Sequence, residues 1–161
     1  MKVSNSKIII NSDETEIIRL IKSPNNLEKF HPFCKKNKVE VWNKEKSIDF
    51  VEYHNNKIYK RKFIDWGDNG YNLDIYEKRK LANISWNVVK ISNNKSSLII
   101  TAVPHLPFKY KIINQLIFEL YVKPMLKNYL NSVVKGLKYY IETKNIIKND
   151  QFGKHIWYST Y

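Results

Sequence analysis

Residues 126–141 read LKNYLNSVVKGLKYYI, and this stretch decides the fold. Its apolar residues Leu126, Leu130, Val133, Leu137 and Ile141 are spaced by three and four, which puts them on one face of an α-helix. Lys127, Asn131, Lys135 and Lys138 take the other side. The helical pattern reaches upstream to about Tyr110, where Ile113, Leu116, Ile117 and Leu120 make a similar stripe, and downstream to Thr143. Pro124 stands between the two halves. It lacks an N–H and its ring crowds the preceding turn, so a kink or restart is expected there.

Before residue 104 nearly everything reads as strand. Val3–Ile10 carries the short β-branched run Ile8, Ile9, Ile10. A helix over Asp13–Lys22 follows, with Asp13 and Glu16 spaced as a capping box. Ser23-Pro24 reads as the start of a second short helix ending near Phe30. Pro32 disfavours a helical His31 and breaks it. The strands Lys38–Trp42, Ile48–His54, Ile58–Trp66, Tyr71–Glu77, Ala82–Ile91 and Ser97–Val103 are separated by polar Asn- and Gly-bearing turns, the pattern of an antiparallel meander. One long helix after many strands is expected to form the second layer over a curved sheet. Alternation puts Tyr59, Arg61, Phe63 and Asp65 on one face, and Ile58, Lys60, Lys62, Ile64 and Trp66 on the other. In the same way Ala82, Ile84, Trp86 and Val88 share a face.

The chain of 161 residues is 43% hydrophobic and 14% aromatic, values of a globular domain and not of a disordered chain. A single domain with room for a core and a cavity is expected. No apolar run approaches the roughly 20 residues that span a bilayer. No basic segment followed by an apolar core opens the chain, so a secretory leader is not expected. The lone Cys34 forbids an internal disulfide and fits a reducing cytoplasm. The net charge is +13, yet only Arg19, Arg61 and Arg79 are arginine and the other basic residues are scattered lysines. Specific phosphate and base recognition favours arginine forks, so no specific nucleic acid is expected. Lys, Asn and Ile share A/T-rich codons, so a biased genome explains the charge without any anionic partner, and a weak anionic-membrane contact is the lesser alternative. The oligomeric state is not legible, because no heptad seam is visible.

The element order, together with Leu27–Phe33, Arg61–Trp66 and Leu126–Tyr140, resembles the START-like, birch-pollen-allergen-like superfamily, also called SRPBCC. The local stretches are similar to uncharacterised bacterial proteins grouped with polyketide cyclase/dehydrase and lipid-transport members. The resemblance covers roughly residues 1 to 143, and the tail Gln151–Ser159 looks like an ending seen in that subgroup. It implies an α+β helix-grip fold: a curved antiparallel sheet of about seven strands wrapped around a long C-terminal helix, with two short helices after strand 1. Residues 1–145 would form this domain, and 146–161 an aromatic tail packed on it. The resemblance also implies a cavity between sheet and helix, used by members for sterols, lipids, isoprenoid quinones, plant hormones or polyketides. Its candidate lining is Phe30, His31, Phe33, Tyr59, Arg61, Phe63, Trp86, His105, Leu126, Tyr129, Leu130 and Val133.

The residues themselves leave several readings open. His31 and His105 lie in proline-bearing loops, where an imidazole serves as acid or base or simply bonds to backbone. An inward Arg61 needs a carboxylate such as Asp49, Glu52 or Asp74, or an anionic ligand; an outward one is solvated. Trp86 either lines a pocket or fills core. The hydroxyls of Tyr129 and Tyr140 reach a ligand or water. No histidine pair has metal-ligand spacing, no nucleophile elbow occurs, and no Gly-rich phosphate loop is present, so no metal or cofactor is expected. Three functions follow. The first is a carrier or binding protein for an apolar small molecule. The second is a cyclase-, aromatase- or dehydratase-type enzyme using His31, Arg61, His105 or Tyr53. The third is a basic surface for nucleic acid or anionic lipid.

Overall fold

The computed structural model describes residues 2–107 and 110–161. Its elements are β1 (Ser4–Ile10), α1 (Glu14–Ile21), α2 (Leu27–Phe30), β2 (Cys34–Val41), β3 (Ile48–Tyr53), β4 (Ile58–Asp65), β5 (Gly70–Tyr76), β6 (Lys80–Ser92), β7 (Lys95–Pro104), α3 (Lys111–Ile117), a π-helical segment (Phe118–Val122) and α4 (Lys123–Thr143). The strands form one antiparallel sheet in the order β1-β7-β6-β5-β4-β3-β2. Hairpins join β2 through β7 in succession, while β1 pairs with β7 at the far edge. The short helices α1 and α2 therefore carry the chain from one edge of the sheet to the other. This is the expected helix-grip architecture. Phe108, read from the sequence as part of the loop before the long helix, lies outside the described residues.

The long helix packs its stripe as its spacing predicts. Leu126, Leu130, Val133, Leu137 and Ile141 are all buried. They face inward side chains of the sheet such as Leu73, Trp86, Leu98 and Ile100, and together these form one core. The interruption expected at Pro124 takes the form of the π-helical segment immediately before it. Proline offers no N–H to the carbonyl four residues back and its ring crowds that carbonyl, and a wider turn relieves both. The upstream stripe behaves differently. Ile113, Leu116 and Leu120 are exposed, and only Phe118 of the π-helical segment is buried. Spacing identified an apolar face there, but the sheet does not extend under it.

Local chemistry corrects several expectations. Glu16 N–H donates to the Asp13 carboxylate at 2.9 Å, the cap of α1. The return half of the capping box is missing, because the Glu16 carboxylate instead bonds Ser12 and Lys144. Ser23 does not start a helix. Its hydroxyl donates to the Leu20 carbonyl at 2.8 Å, closing α1, and α2 shrinks to four residues. Strand β2 begins at Cys34, four residues before the expected Lys38. In β4 a register shift falls between Phe63 and Asp65. One extra residue reverses which side a side chain faces. Asp65 is thus exposed, and Trp66 turns in against Trp42, Phe63 and Tyr71, with ring centroids 5.6, 5.2 and 5.9 Å away.

Helix α4 also reaches edge strand β1. Lys127 Nζ donates to the Asn5 carbonyl and Lys138 Nζ to the Ile9 carbonyl, while the Asn11 N–H donates to the Glu142 carboxylate. The residues after α4 return over α2 and the β3–β4 turn. Backbone N–H groups of Ile147 and Asp150 donate to the carbonyls of Lys29 and Pro32, and Asn55 N–H donates to the Tyr158 carbonyl. Gly136 makes the crossing of α2 and α4 close: a Cβ there would lie 2.1 Å from the Phe30 carbonyl oxygen and 2.8 Å from Ile147 Cδ1. Replacing an unhindered helical glycine with alanine stabilises by about 1 kcal/mol. Gly136→Ala is expected to do the reverse, lowering unfolding free energy by about 1–3 kcal/mol in urea titrations through overpacking.

Candidate functional site

A cavity of about 380 Å³ lies between the concave sheet and the long helix. Its volume is within the range of small-molecule sites, roughly 300–1,000 Å³. The walls are mostly apolar: Leu73, Ile84 and Trp86 from the sheet face Leu126, Leu130 and Val133 of α4. The polar groups at the wall include His31, Tyr53, Arg61 and Tyr129.

His31 is placed by Pro32, which holds it extended at the end of α2 (φ −92°, ψ 111°). Its ring is buried. Nδ1 accepts the Phe33 backbone N–H at 3.3 Å, so the ring proton sits on Nε2 and is donated to Tyr129 Oη at 2.8 Å. Tyr129 in turn is 3.0 Å from Tyr53 Oη. A phenol oxygen can accept two hydrogen bonds, so either hydroxyl of this pair can donate to the other. The chain of hydrogen bonds thus runs from Phe33 through His31 and Tyr129 to Tyr53, and it leaves one of the two phenolic protons without an acceptor among the described residues. Burial first, and the positive charge of Arg61 second, depress the His31 pKa to about 3. Burial raises Tyr53 and Tyr129 well above the ordinary phenol range. Near neutral pH this cluster holds a neutral imidazole and neutral phenols. It offers a hydrogen bond but exchanges protons poorly.

Arg61 points inward, resolving the open choice of faces. It sits directly across from Asp49 in the β3–β4 register. Nε donates to Asp49 Oδ1 at 2.7 Å and Nη2 to Oδ2 at 2.5 Å. Asn37 Nδ2 adds a third bond to the same carboxylate at 3.0 Å. Burial would lower the Arg61 pKa, but the charge and hydrogen bonds of Asp49 outweigh it and raise the value. Cys34, beside this cluster, has its thiol pushed up to about 12 by burial, which keeps it an unreactive thiol.

The cavity wall brings together His31, Tyr59, Arg61, Trp86, His105, Leu126, Tyr129, Leu130 and Val133, with Tyr53. It does not include Phe30, Phe33 or Phe63, which sit behind it in the core. There Phe30 meets the Trp86 ring at 6.1 Å, Phe33 stacks on Tyr129 at 5.7 Å, and Phe63 lies 5.3 Å from Trp42. His105 is exposed at the rim, its carbonyl accepting from Arg79 Nη1 at 2.9 Å. Sequence reading missed Trp157 and Tyr158, both on the wall. Tyr158 stacks on Tyr53 with centroids 4.2 Å apart. The aromatic density of the tail pointed to packing but not to this address. His155 anchors that tail as His31 anchors its loop: Nδ1 accepts the Trp157 N–H at 3.3 Å and Nε2 donates to the Met125 carbonyl at 3.0 Å. Nothing in sequence marked Lys57 or Arg79, turn residues that reach the wall. Among the described residues no group of three or more His, Cys, Asp or Glu is arranged to hold a metal ion.

No protein-family model matches the chain, and no curated protein matches its sequence. Solved structures do match. An uncharacterized protein from Bacillus thuringiensis superposes with a TM-score of 0.69 at 11% identity, covering 87% of this chain and 98% of that one. A START superfamily protein from Mycobacterium smegmatis gives 0.65 at 10% identity, covering 89% and 99%. The fold is the START-like helix-grip fold. The di-domain ARO/CYC protein BexL of the BE-7585A biosynthetic pathway gives 0.66 at 10% identity, covering 89% of this chain and 48% of that one. At these identities the likeness establishes architecture and carries no activity across.

Two measurements check the helix-grip interior. Asp49→Ala strands a buried guanidinium and should cost about 3–5 kcal/mol in urea unfolding, whereas replacing Asp49 and Arg61 together by leucine should recover most of it. His31 is neutral when folded and has a value near 6.5 when unfolded. Below that value the unfolded chain binds a proton the folded chain refuses, so stability falls as pH drops toward 3. The stability advantage of wild type over His31→Gln should shrink by about 1.4 kcal/mol per pH unit below pH ~6.

Proposed function

We propose that the chain binds and carries a hydrophobic small molecule, of lipid, isoprenoid or polyketide-like type, that bears at least one hydrogen-bond acceptor. The observation carrying this reading is the apolar cavity with one unused phenolic proton, supplied by the Tyr53–Tyr129 pair, at its wall. An apolar body fits the aliphatic and aromatic walls, and a carbonyl or ether oxygen fits the donor. Asp49 already compensates the charge of Arg61, so the guanidinium is not a counter-ion for an anionic ligand. The ligand this site prefers is therefore neutral at that end.

A cyclase- or aromatase-type enzyme is the second reading. It is favoured by the hydrogen-bonded His31, Tyr129 and Tyr53, since a phenol that donates to a carbonyl also polarises it, and the similarity to BexL adds architecture. Against it, both ring nitrogens of His31 are engaged and the phenols titrate far above neutrality. General acid–base work is best done by groups titrating near the working pH.

Native mass spectrometry of the purified chain, followed by organic extraction, tests the carrier reading. Wild type should retain an apolar compound or bind a neutral fluorescent probe, and Ile84→Trp, which fills the cavity, should not. The double variant Tyr53→Phe, Tyr129→Phe should weaken binding of a carbonyl-bearing probe roughly two- to tenfold. An empty wild-type chain that also ignores the probe would overturn the reading, and release of a changed product would move it to the enzyme.

A further inference from the structure

Six of the exposed large apolar side chains fall within twelve residues: Tyr110, Ile112, Ile113, Leu116, Leu120 and Tyr121. Of the others, Val89 and Ile91 share one face of β6 with Ile9 of β1 in the same cross-strand row, and the rest are spread over the described surface, as is ordinary for a folded protein. Ile112, Leu116 and Leu120 are 84%, 59% and 72% exposed and follow each other at four-residue steps along the helix. A face of this kind left in water is costly, so its persistence in an otherwise well-packed chain points to a covering surface.

Two further observations say what covers it. The face is continuous with the cavity rim: Val122 lines the cavity, and Tyr121 accepts a hydrogen bond from Trp157 Nε1, another wall residue, at 3.2 Å. The rim and the face are also basic. Lys57 and Arg79 reach the cavity wall, Lys78 adjoins Arg79 in the β5–β6 turn, and Lys111 and Lys123 flank the helix face. The acidic groups there are Glu77 and Glu119, and Glu119 is paired with Lys123. A second copy of a chain with net charge +13 would bring like charges together across this face. An anionic lipid surface would meet both its apolar residues and its charge. No helix among the described residues is long and apolar enough to cross a membrane, so the contact would be interfacial.

We propose that residues 110–121 dock on an anionic bilayer, with the cavity mouth turned toward the lipid. The aromatic pair Tyr110 and Tyr121 suits the headgroup level, and Ile112, Leu116 and Leu120 suit the acyl boundary. Docking does not depend on the cavity being occupied; exchange of a ligand with the bilayer rests on the carrier reading.

Vesicle flotation separates the outcomes. Wild type should float with vesicles containing phosphatidylglycerol, and far less with phosphatidylcholine alone. The double variant Leu116→Ser, Leu120→Ser should reduce partitioning about tenfold or more while keeping the circular dichroism and melting curve of wild type. It should also keep binding of the neutral probe, whereas Ile84→Trp should lose the probe and keep the vesicles. Absence of flotation at low salt would overturn the proposal. So would flotation unchanged by the double variant, which would mean charge alone, or a concentration-dependent dimer dispersed by the variant, which would mean a second copy covers the face.

Discussion

Arg61 and Asp49 face each other across β3 and β4 with their charges buried, and much of the interior is arranged around that fact. A buried pair of this kind adds little net stability over an apolar pair, because both ions lose their water. Its effect is selective. Sliding β3 against β4 by one residue would send one charge outward and leave the other alone in the core. Asn37 extends the constraint to β2, so three neighbouring strands are held in a single register. The same guanidinium helps to keep His31 neutral. An ion pair that contributes structure thereby also sets the electrical character of the cavity wall.

The remainder of the site grows from aromatic packing around that pair. Phe33, Tyr53, Tyr129, His155 and Tyr158 form a connected set of ring contacts, and several are closer than 5.6 Å between centroids. The cavity is lined by Tyr53, Tyr129 and Tyr158 of this set, with Phe33 and His155 packed behind them. Its character is graded: phenols and a neutral imidazole at one part of the wall, aliphatic side chains of β6 and α4 elsewhere.

The parts of this structure that were legible in sequence are those fixed by periodicity. Leu126 to Ile141 announced the buried helix face, and alternation put Tyr59, Arg61 and Phe63 together. Alternation failed at Asp65 and Trp66 because a register shift adds one residue, which no local pattern marks. Spacing also announced an apolar stripe over Ile113 to Leu120 but could not tell that the sheet stops short of it. In the site, His31 was legible through Pro32, and Asp49 appeared among three carboxylates open to Arg61. The hydrogen-bond chain joining His31, Tyr129 and Tyr53 was not, since it joins residues 98 and 76 positions apart. The wall positions of Trp157 and Tyr158 depend on a returning tail whose path is set by backbone bonds to Lys29, Pro32 and Asn55.

The lysines that α4 extends to β1 have a wider meaning. The outer carbonyls of an edge strand are a template onto which any extended chain can add itself, the usual first step of sheet-to-sheet aggregation. Here Lys127 and Lys138 occupy the carbonyls of Asn5 and Ile9. At the opposite border β2 carries Lys35, Lys36 and Lys38, charges that discourage an incoming strand. A seven-stranded open sheet with a triple-isoleucine strand at its edge would otherwise invite fibril growth. Edge protection in this fold falls on lysine, and part of the chain's large positive charge is thereby accounted for without any partner at all.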